Sequence, residues 1–265
     1  MDKLFELMQK LCHPDGRKSC AACCGLYNFL DHSRQTLQRL LFATRALFSL
    51  YPLTEEGLRA YSKRARELFP SPPLCQEVYI CEFLGFVDPE GRLPGCLIHP
   101  ELHGGLDLRD VSFYGKGLCG GHLCLGHYYL NEDEKAIIIE LLDDWYLYGL
   151  LVTDIDYVKG ILGLLADKVG EALKPRHLAI GAVREGLLGL FELKRSWPFK
   201  DKRPRLGKYW FSYGEYRIAH PWDGAWDRVL GCLETDPSMW KEAGDYLLDL
   251  LTKTAQRISK ALGGS

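Results

Sequence analysis

Hydrophobic residues recur at helical spacing in the first third of the chain. The clearest segment covers residues 31–51, and Pro52 ends it. Its apolar positions are Leu37, Leu40, Leu41, Leu47 and Phe48. Thr54, followed by two glutamates, is typical of a helix start, and this second helix is predicted to reach about Leu68. A similar pattern over residues 2–12 predicts a short helix that leads into a cysteine-rich loop.

The same period returns after residue 130. It predicts helices at about 131–149, 154–169, 175–193 and 237–262. Asn131 and the three acidic residues that follow it form a strong start signal for the first of these helices. Residues 209–218 are rich in aromatic side chains and predict a hairpin that turns near Gly214.

The pattern between these helical regions is different. Val78-Tyr79-Ile80 and the segment from Cys96 predict two short strands on either side of a turn at residues 88–91. Residues 101–126 contain many glycines, which predicts an irregular loop able to wrap closely around a ligand. The predicted fold class is mainly α, with an irregular, cysteine-rich metal-binding N-terminal half holding few short strands and a helical C-terminal half. The predicted regions are 1–130, a cysteine-cluster metal-binding region, and 131–265, a helical region that is separate from the first or continuous with it.

Composition and charge are those of an ordinary soluble protein. Of 265 residues, 47% are apolar and 26% charged, and the net charge of -2 provides no general attraction to nucleic acid or to anionic lipid. The N-terminal segment lacks the apolar stretch of a signal peptide, and the uncharged stretch 145–153 is far shorter than the ~20 residues that span a bilayer. We therefore expect a cytoplasmic protein without a membrane partner. In a reducing compartment, its ten cysteines are not expected to form disulfides.

Nine of the ten cysteines precede residue 125, which indicates one local role. Clustered thiolates bind zinc or an iron–sulfur cluster, and a Cys-x-x-Cys turn directs two sulfurs toward one ion. The candidate metal ligands are Cys20, Cys23, Cys24, Cys81, Cys96, Cys119 and Cys124. Because neighbouring side chains usually diverge, Cys23 and Cys24 are expected to bind two different metals, or two irons of one cluster, if both are ligands.

Other thiols and imidazoles could complete the site. Cys12, Cys75 and Cys232 fit the role of small buried hydrophobic residues. His99 and His122 lie in or beside the glycine-rich segment and leave a mixed sulfur and nitrogen site open, as do His103 and His127. Each histidine taken alone is better explained as an ordinary polar residue.

The cysteine motifs resemble those of the YkgJ-type cysteine-cluster proteins, described as zinc- or iron-chelating domains. Cys20-Ala-Ala-Cys23-Cys24 is similar to the opening motif of that family, Cys81-Glu-Phe-Leu to its second and Cys96-Leu-Ile-His to the start of its third. The resemblance covers roughly residues 17–125 and implies metal chelation without a settled reaction.

This chain departs from the family pattern at two places. The family often has a cysteine where this chain has Arg17, and its Arg-Pro-x-x-Cys-Arg ending is missing after His99. Set against the family pattern, Cys12 is a candidate to replace the early cysteine, and Cys119 or Cys124 the late one.

Basic and aromatic residues interleave over residues 194–217. Cations neutralise phosphates and aromatic faces stack on bases, so this composition is compatible with nucleic-acid binding. We favour a solvated basic loop followed by a hairpin with core aromatics, because no nucleic-acid motif accompanies it.

Three functional hypotheses follow from these patterns. We favour a metal-binding protein that holds an iron–sulfur cluster or zinc through clustered cysteines, with no predicted reaction and no assigned catalytic residue. The first alternative is an interaction module with structural zinc, whose stretch 194–217 binds a protein partner or nucleic acid. The second is an iron–sulfur enzyme similar to the flagellin lysine methylases, whose cysteine motif this chain resembles.

Overall fold

The computed structural model describes residues 11–202, the backbone of 209–212 and 215–218, and residues 224–263. The chain divides into two units. The cysteine unit is Cys12–Cys124, and the helical unit contains Leu11 and the chain from Leu125 onward. The helix predicted over residues 2–12 falls almost entirely outside the described residues. Among those that are described, no helix combines the length and the apolar content needed to cross a bilayer.

Two helices and a small hairpin form the frame of the cysteine unit. Helix α1 is Arg34–Phe48 and helix α2 is Glu55–Arg66, as the apolar periodicity and the caps predict. Thr54 caps α2 by accepting a hydrogen bond from Gly57 N at 3.2 Å. Strands β1, Leu84–Phe86, and β2, Pro94–Cys96, pair antiparallel with Leu84 opposite Cys96. The predicted turn therefore does bring the two cysteine motifs side by side.

Aromatic side chains join these elements into one core. Tyr61 of α2 is fully buried, and its ring centroid lies 5.1 Å from that of Phe48 and 5.3 Å from that of Phe83. Its hydroxyl donates to the carbonyl oxygen of Glu82 at 3.0 Å. The segment that carries Cys81 is thus fixed against α2.

The strand predicted at Val78-Tyr79-Ile80 is wrong, because this segment is irregular in the structure. Asn28, which is buried, holds it instead: its amide donates to Cys75 O at 3.0 Å and to Val78 O at 2.7 Å. The Asn28 side-chain oxygen accepts from Cys75 N at 2.9 Å. One side chain therefore replaces the strand partner that the segment lacks.

Replacing Asn28 with alanine should lower the free energy of unfolding of the cysteine unit by about 2 kcal/mol, because it leaves inward-facing backbone groups without partners. Urea unfolding followed by far-ultraviolet circular dichroism would measure the change. Ser49→Ala removes a hydroxyl bonded to Ala46 O on an exposed helix end and should change stability by less than about 0.5 kcal/mol. Equal losses in the two variants would contradict the role given to Asn28.

The glycine-rich segment is less irregular than predicted. It contains two 3₁₀ helices, Pro100–His103 and Arg109–Val111, and helix α3, Gly115–Gly121. Glycines disfavour a helix, but two side chains stabilise its first turn. Ser112 Oγ accepts from Gly115 N at 3.3 Å, and an Asp110 carboxylate oxygen accepts from Lys116 N at 3.0 Å.

Within the described residues, the helical unit contains seven α-helices, one hairpin and two short 3₁₀ helices, Pro175–Ala179 and Pro237–Met239. The helices are α4 (Gly126–Tyr129), α5 (Glu132–Leu141), α6 (Trp145–Thr153), α7 (Ile155–Val169), α8 (Gly181–Ser196), α9 (Ala225–Cys232) and α10 (Trp240–Leu262). Helix α7 packs against α9 and α10, and α8 packs against α6 and α10. Strands β3, Tyr209–Ser212, and β4, Glu215–Ile218, pair antiparallel, which confirms the predicted hairpin. The turn itself lies outside the described residues.

The helix predicted over residues 131–149 is two helices. Asn131 begins α5 with a capping box that includes Glu134. The chain then leaves the helical conformation at Leu142, and Asp144 begins α6 by accepting from Leu147 N at 2.8 Å. Two successive aspartates favour a new N-terminus over continued helix here.

A buried ion pair lies in the core of the helical unit. Lys194 Nζ donates to Asp154 Oδ2 at 3.1 Å and to Cys232 O at 2.7 Å, and each charged side chain is 8% exposed. The Lys194 ammonium also lies 5.6 Å from the ring centroid of Tyr157. The other oxygen of Asp154, Oδ1, is buried without a hydrogen-bond partner in the described part of the chain.

Candidate metal centre

The opening motif forms one 3₁₀ turn, Ala22–Cys24. Left-handed backbone conformations flank this turn, with φ of 51° at Ala21 and 82° at Gly25. A non-glycine residue in this conformation costs about 1 to 2 kcal/mol, so the surrounding structure must hold Ala21 there. Cys20 is buried, Cys24 is half-buried and Cys23 is exposed.

Gly25 permits a close approach between two cysteine segments. A Cβ on Gly25 would lie 2.4 Å from Tyr79 O and 2.9 Å from Ile80 Cα. This approach allows Cys81 N to donate to Cys24 O at 2.9 Å. The first and second cysteine motifs are therefore joined by their main chains.

The hairpin and helix α3 supply the next two thiols. Cys96 ends strand β2. Burial, with a smaller contribution from Cys119, raises the pKa of its thiol to about 11. Burial and then Cys96 raise the pKa of Cys81, with a smaller contribution from Cys119. The pairing of Leu84 with Cys96 places Cys96 on the strand beside the segment that follows Cys81.

Arg109 is held beside this group by an ion pair. Its guanidinium donates to both carboxylate oxygens of Asp107, at 2.8 and 2.7 Å, and to Cys119 O at 3.2 Å. Its positive charge lowers the pKa of Cys96 and of Cys119, whereas burial and the other thiols raise them. The guanidinium thus stabilises negative charge on the two sulfurs.

The adjacent cysteines have different surroundings. A hydrogen bond from the Cys24 thiol lowers the pKa of Cys23 and raises that of Cys24. Burial also raises the pKa of Cys24, and the thiols of Cys81 and Cys96 contribute as well. We call Cys24, Cys81, Cys96 and Cys119 the first thiol set, because main-chain contacts join the segments that carry the first three and Arg109 contacts Cys119 O.

Cys12 lies beside Cys20, a contact that no sequence motif predicts. Cys20 N donates to Cys12 O at 3.1 Å, which places the two main chains side by side. Burial raises the pKa of Cys20 well above its usual range, and the thiols of Cys124, Cys12 and then Cys23 raise it further. The sequence carries no motif for Cys12, because seven irregular residues separate it from Cys20.

The remaining cysteines and histidines have other surroundings. The main chain of Cys75 is bound to Asn28, and Cys232 lies in the helical unit. His99 Nδ1 accepts from Glu101 N at 3.4 Å, at the start of a 3₁₀ helix, and burial lowers the pKa of His99. His103 Nε2 is 2.7 Å from Leu97 O. His127 belongs to the helical unit, and burial lowers the pKa of His122.

The donor set suits a thiophilic metal, although its side chains do not converge on one point. All ten cysteines are described, and none is in a disulfide. The described residues contain no group of three or more Cys, His, Asp and Glu side chains placed to hold a metal ion. Grouped thiols of this kind are the ligands of zinc and of iron–sulfur clusters, and ligation requires the side chains to rotate toward a common centre.

Three cations of the basic and aromatic stretch form ion pairs within the helical unit. Lys194 pairs with Asp154, Arg195 Nε donates to Glu192 at 2.6 Å, and Lys200 lies 3.0 Å from Glu234. Trp197 is buried and its Nε1 donates to Thr235 Oγ1 at 3.0 Å. The side chains of 203–223 lie outside the described residues.

No protein-family model matches the chain, and no curated protein and no solved structure is significantly similar to it.

Proposed function

We propose that the cysteine unit binds a thiophilic metal, as zinc or as an iron–sulfur cluster, through its cysteine thiolates. The observation that carries this proposal is the first thiol set. It consists of four cysteines from four separate segments of the chain, and the main-chain bond between Cys24 and Cys81 and the pairing of β1 with β2 hold three of those segments side by side.

The surroundings of the first thiol set favour a metal-binding role over a role as small hydrophobic packing residues. Cysteines that serve only in packing are usually buried, whereas Cys24 and Cys96 are half-buried and Cys119 is exposed. The Arg109 guanidinium beside Cys96 and Cys119 adds positive charge where thiolates would form. The resemblance of three motifs to the YkgJ-type proteins supports the same proposal.

When bound, zinc would supply a structural cross-link, and an iron–sulfur cluster would supply a one-electron redox centre. The chain's own residues position the ligands. Gly25 sets the distance between the first two motifs, Tyr61 anchors the segment of Cys81, and Asp107 orients Arg109. Stable thiolate ligands also suit the reducing compartment that we propose for this protein.

Lys194, Arg195 and Lys200 of the basic stretch are paired with carboxylates, which does not favour a nucleic-acid function for this stretch. A reaction on protein lysine has no supporting contact in the described residues.

Replacing Cys81 with serine should reduce metal affinity by at least about 100-fold, since even outer-shell partners of a metal are worth about 10- to 100-fold. The matched control is Cys75→Ser, because Cys75 lies in the same unit and its hydrogen bonds to Asn28 involve its main-chain N and O atoms. Metal, iron and acid-labile sulfide would be measured in anaerobically purified protein, with chelator competition for affinity.

A visible absorption band with sulfide would identify a cluster, and a colourless protein with stoichiometric zinc would identify zinc. Wild-type protein that retains neither metal after anaerobic purification and reconstitution would refute the function. Equal metal content in Cys81→Ser, Cys75→Ser and wild type would refute the ligand assignment.

A further inference from the structure

Helix α3, which carries Cys119, has a sequence that does not favour a helix. Four of its seven residues, Gly115–Gly121, are glycines. Glycine is a poor helix former, and isolated helices shorter than about 12 residues are marginal in water. All seven residues are described and none of them is buried, so packing into the core does not compensate. Contacts with neighbouring segments must therefore hold α3 in its helical form.

Residues 109–112, which we call the base, hold α3 from one side. The 3₁₀ helix Arg109–Val111 packs against both α2 and α3. Arg109 donates to Cys119 O at 3.2 Å, and Asp110 lies 2.9 Å from Lys116 Nζ and accepts from its main-chain N. These bonds lie at the surface, where water can replace them and where ion pairs contribute little. The base therefore positions α3 without fixing it strongly.

Two aromatic residues directly before α3 pack on the segment that precedes Cys81. The ring centroid of Tyr79 lies 4.8 Å from that of Phe113 and 5.2 Å from that of Tyr114. Tyr79 is itself anchored, because its hydroxyl donates to the buried carboxylate of Glu82. Phe113 is nevertheless 73% exposed, so its ring can leave Tyr79 without opening the core of the unit.

We propose that residues 113–121 form a lid that opens by local unfolding while the rest of the cysteine unit stays folded, and that this opening gives a metal ion access to the first thiol set. The access role rests on the proposed function, since the lid carries Cys119 and packs beside the segment of Cys81. Gly115, with a φ of 66°, begins the helix of the lid, and two glycines end it, which gives both ends freedom to move. Segments with few buried contacts and exposed hydrogen bonds open more readily than the core.

Hydrogen exchange read by mass spectrometry in the full, metal-free chain tests the lid. The amides of residues 115–122 should exchange at least about tenfold faster than those of α1 and α2. Gly117→Ala should slow their exchange by up to about fivefold, because alanine favours a helix over glycine by about 1 kcal/mol and 1.4 kcal/mol corresponds to tenfold. Gly117 accepts a methyl group without strain, since its φ is not positive and no atom lies within 4 Å of the added carbon.

A second variant changes the lid in the opposite direction. Phe113→Ala removes the ring contact with Tyr79 and should speed the exchange of residues 115–122 by about two- to tenfold. The matched control is Gly163→Ala in α7, which adds the same methyl group to a helix of the other unit, again with no atom within 4 Å. Exchange of the lid should be unchanged in this control, and circular dichroism would check that each variant is folded.

The rate of zinc release to an excess of chelator tests the access role. Release from the zinc-loaded full chain should slow by up to about fivefold in Gly117→Ala, because the lid opens less often. It should quicken in Phe113→Ala and equal that of wild type in Gly163→Ala.

The two measurements separate the lid from the metal. If residues 115–122 exchange together with α1 and α2, the lid does not exist. If the lid opens but neither variant changes zinc release, the access role is wrong, whereas the proposed function stands. Wild type that binds no zinc and assembles no cluster refutes the proposed function and the access role with it, and hydrogen exchange still decides whether the lid opens.

Discussion

Gly25→Ala should lower the free energy of unfolding of the cysteine unit by about 3 kcal/mol. Two costs add at this position. The φ of 82° is one that side chains other than glycine rarely adopt, and the new Cβ would lie 2.4 Å from the backbone oxygen of Tyr79. Relief requires the segment before Cys81 to move, so metal affinity should fall together with stability. Urea unfolding and chelator competition would measure the two effects.

Alanine substitutions at two other glycines separate the conformational cost from the cost of the close contact. Gly104 has a φ of 63°, and no atom lies within 4 Å of the methyl carbon that alanine would add, so Gly104→Ala carries the conformational cost alone, about 1 kcal/mol. Gly16 has neither a positive φ nor a neighbour, and Gly16→Ala should be neutral. If Gly25→Ala is no worse than Gly104→Ala, the close approach at Tyr79 does not constrain the unit.

Lys194→Met should destabilise the helical unit by about 3 to 5 kcal/mol, because it leaves the Asp154 carboxylate buried without its cation. The double variant Lys194→Met with Asp154→Leu should recover most of this loss, since an apolar pair replaces the ion pair. Asp154 makes no side-chain cap bond at the start of α7, so its replacement removes no helix cap. Thermal and urea unfolding would measure the free energies.

The matched control is Lys253→Met, which removes an exposed ion pair with Asp249 in α10 and should cost less than about 0.5 kcal/mol. A similar loss in both lysine variants would show that the buried pair contributes nothing beyond surface charge. Failure of the double variant to regain stability would instead assign the loss to packing around the Lys194 side chain.

The same pair predicts a dependence on alkaline pH. Burial alone would lower the pKa of Lys194, but the Asp154 carboxylate, with Glu234 and Cys232, outweighs it and raises the pKa. A raised pKa in the folded state contributes stability that is complete below the unfolded value of about 10.4 and is lost as the pH rises through the folded value. Wild type should therefore lose stability above about pH 10 more steeply than Lys194→Met.

Local signals predict the helices of the cysteine unit well. The apolar period of α1 and the Thr54 cap of α2 are properties of the segments themselves. The β-forming residues Val78-Tyr79-Ile80 predict a strand, but Tyr79 instead packs against Phe113, with ring centroids 4.8 Å apart. Strands β1 and β2 depend on pairing across a turn, which no single segment encodes. The break at Leu142 does have a local signal in the two aspartates that follow it, but the apolar period continues through the break and hides this signal.

Some residues of the candidate site could be predicted from the sequence, and others could not. Short motifs predict Cys20, Cys24, Cys81 and Cys96 as candidate ligands, because cysteine spacing within a turn is visible in sequence. The surroundings of Cys12 could not be predicted, since they depend on a main-chain bond across an irregular loop. Arg109 gives no signal either, because its effect on Cys96 requires the fold to bring residues 96 and 109 together.

The main-chain bond between Cys24 and Cys81 closes a loop that contains helices α1 and α2. Opening this bond would release both helices together with the two cysteine segments. The entropy of closing such a loop depends only weakly on its length, since each doubling of loop length costs about 0.6 kcal/mol. The number of residues between the first two cysteine motifs could therefore change with little effect on how closely the two segments approach each other.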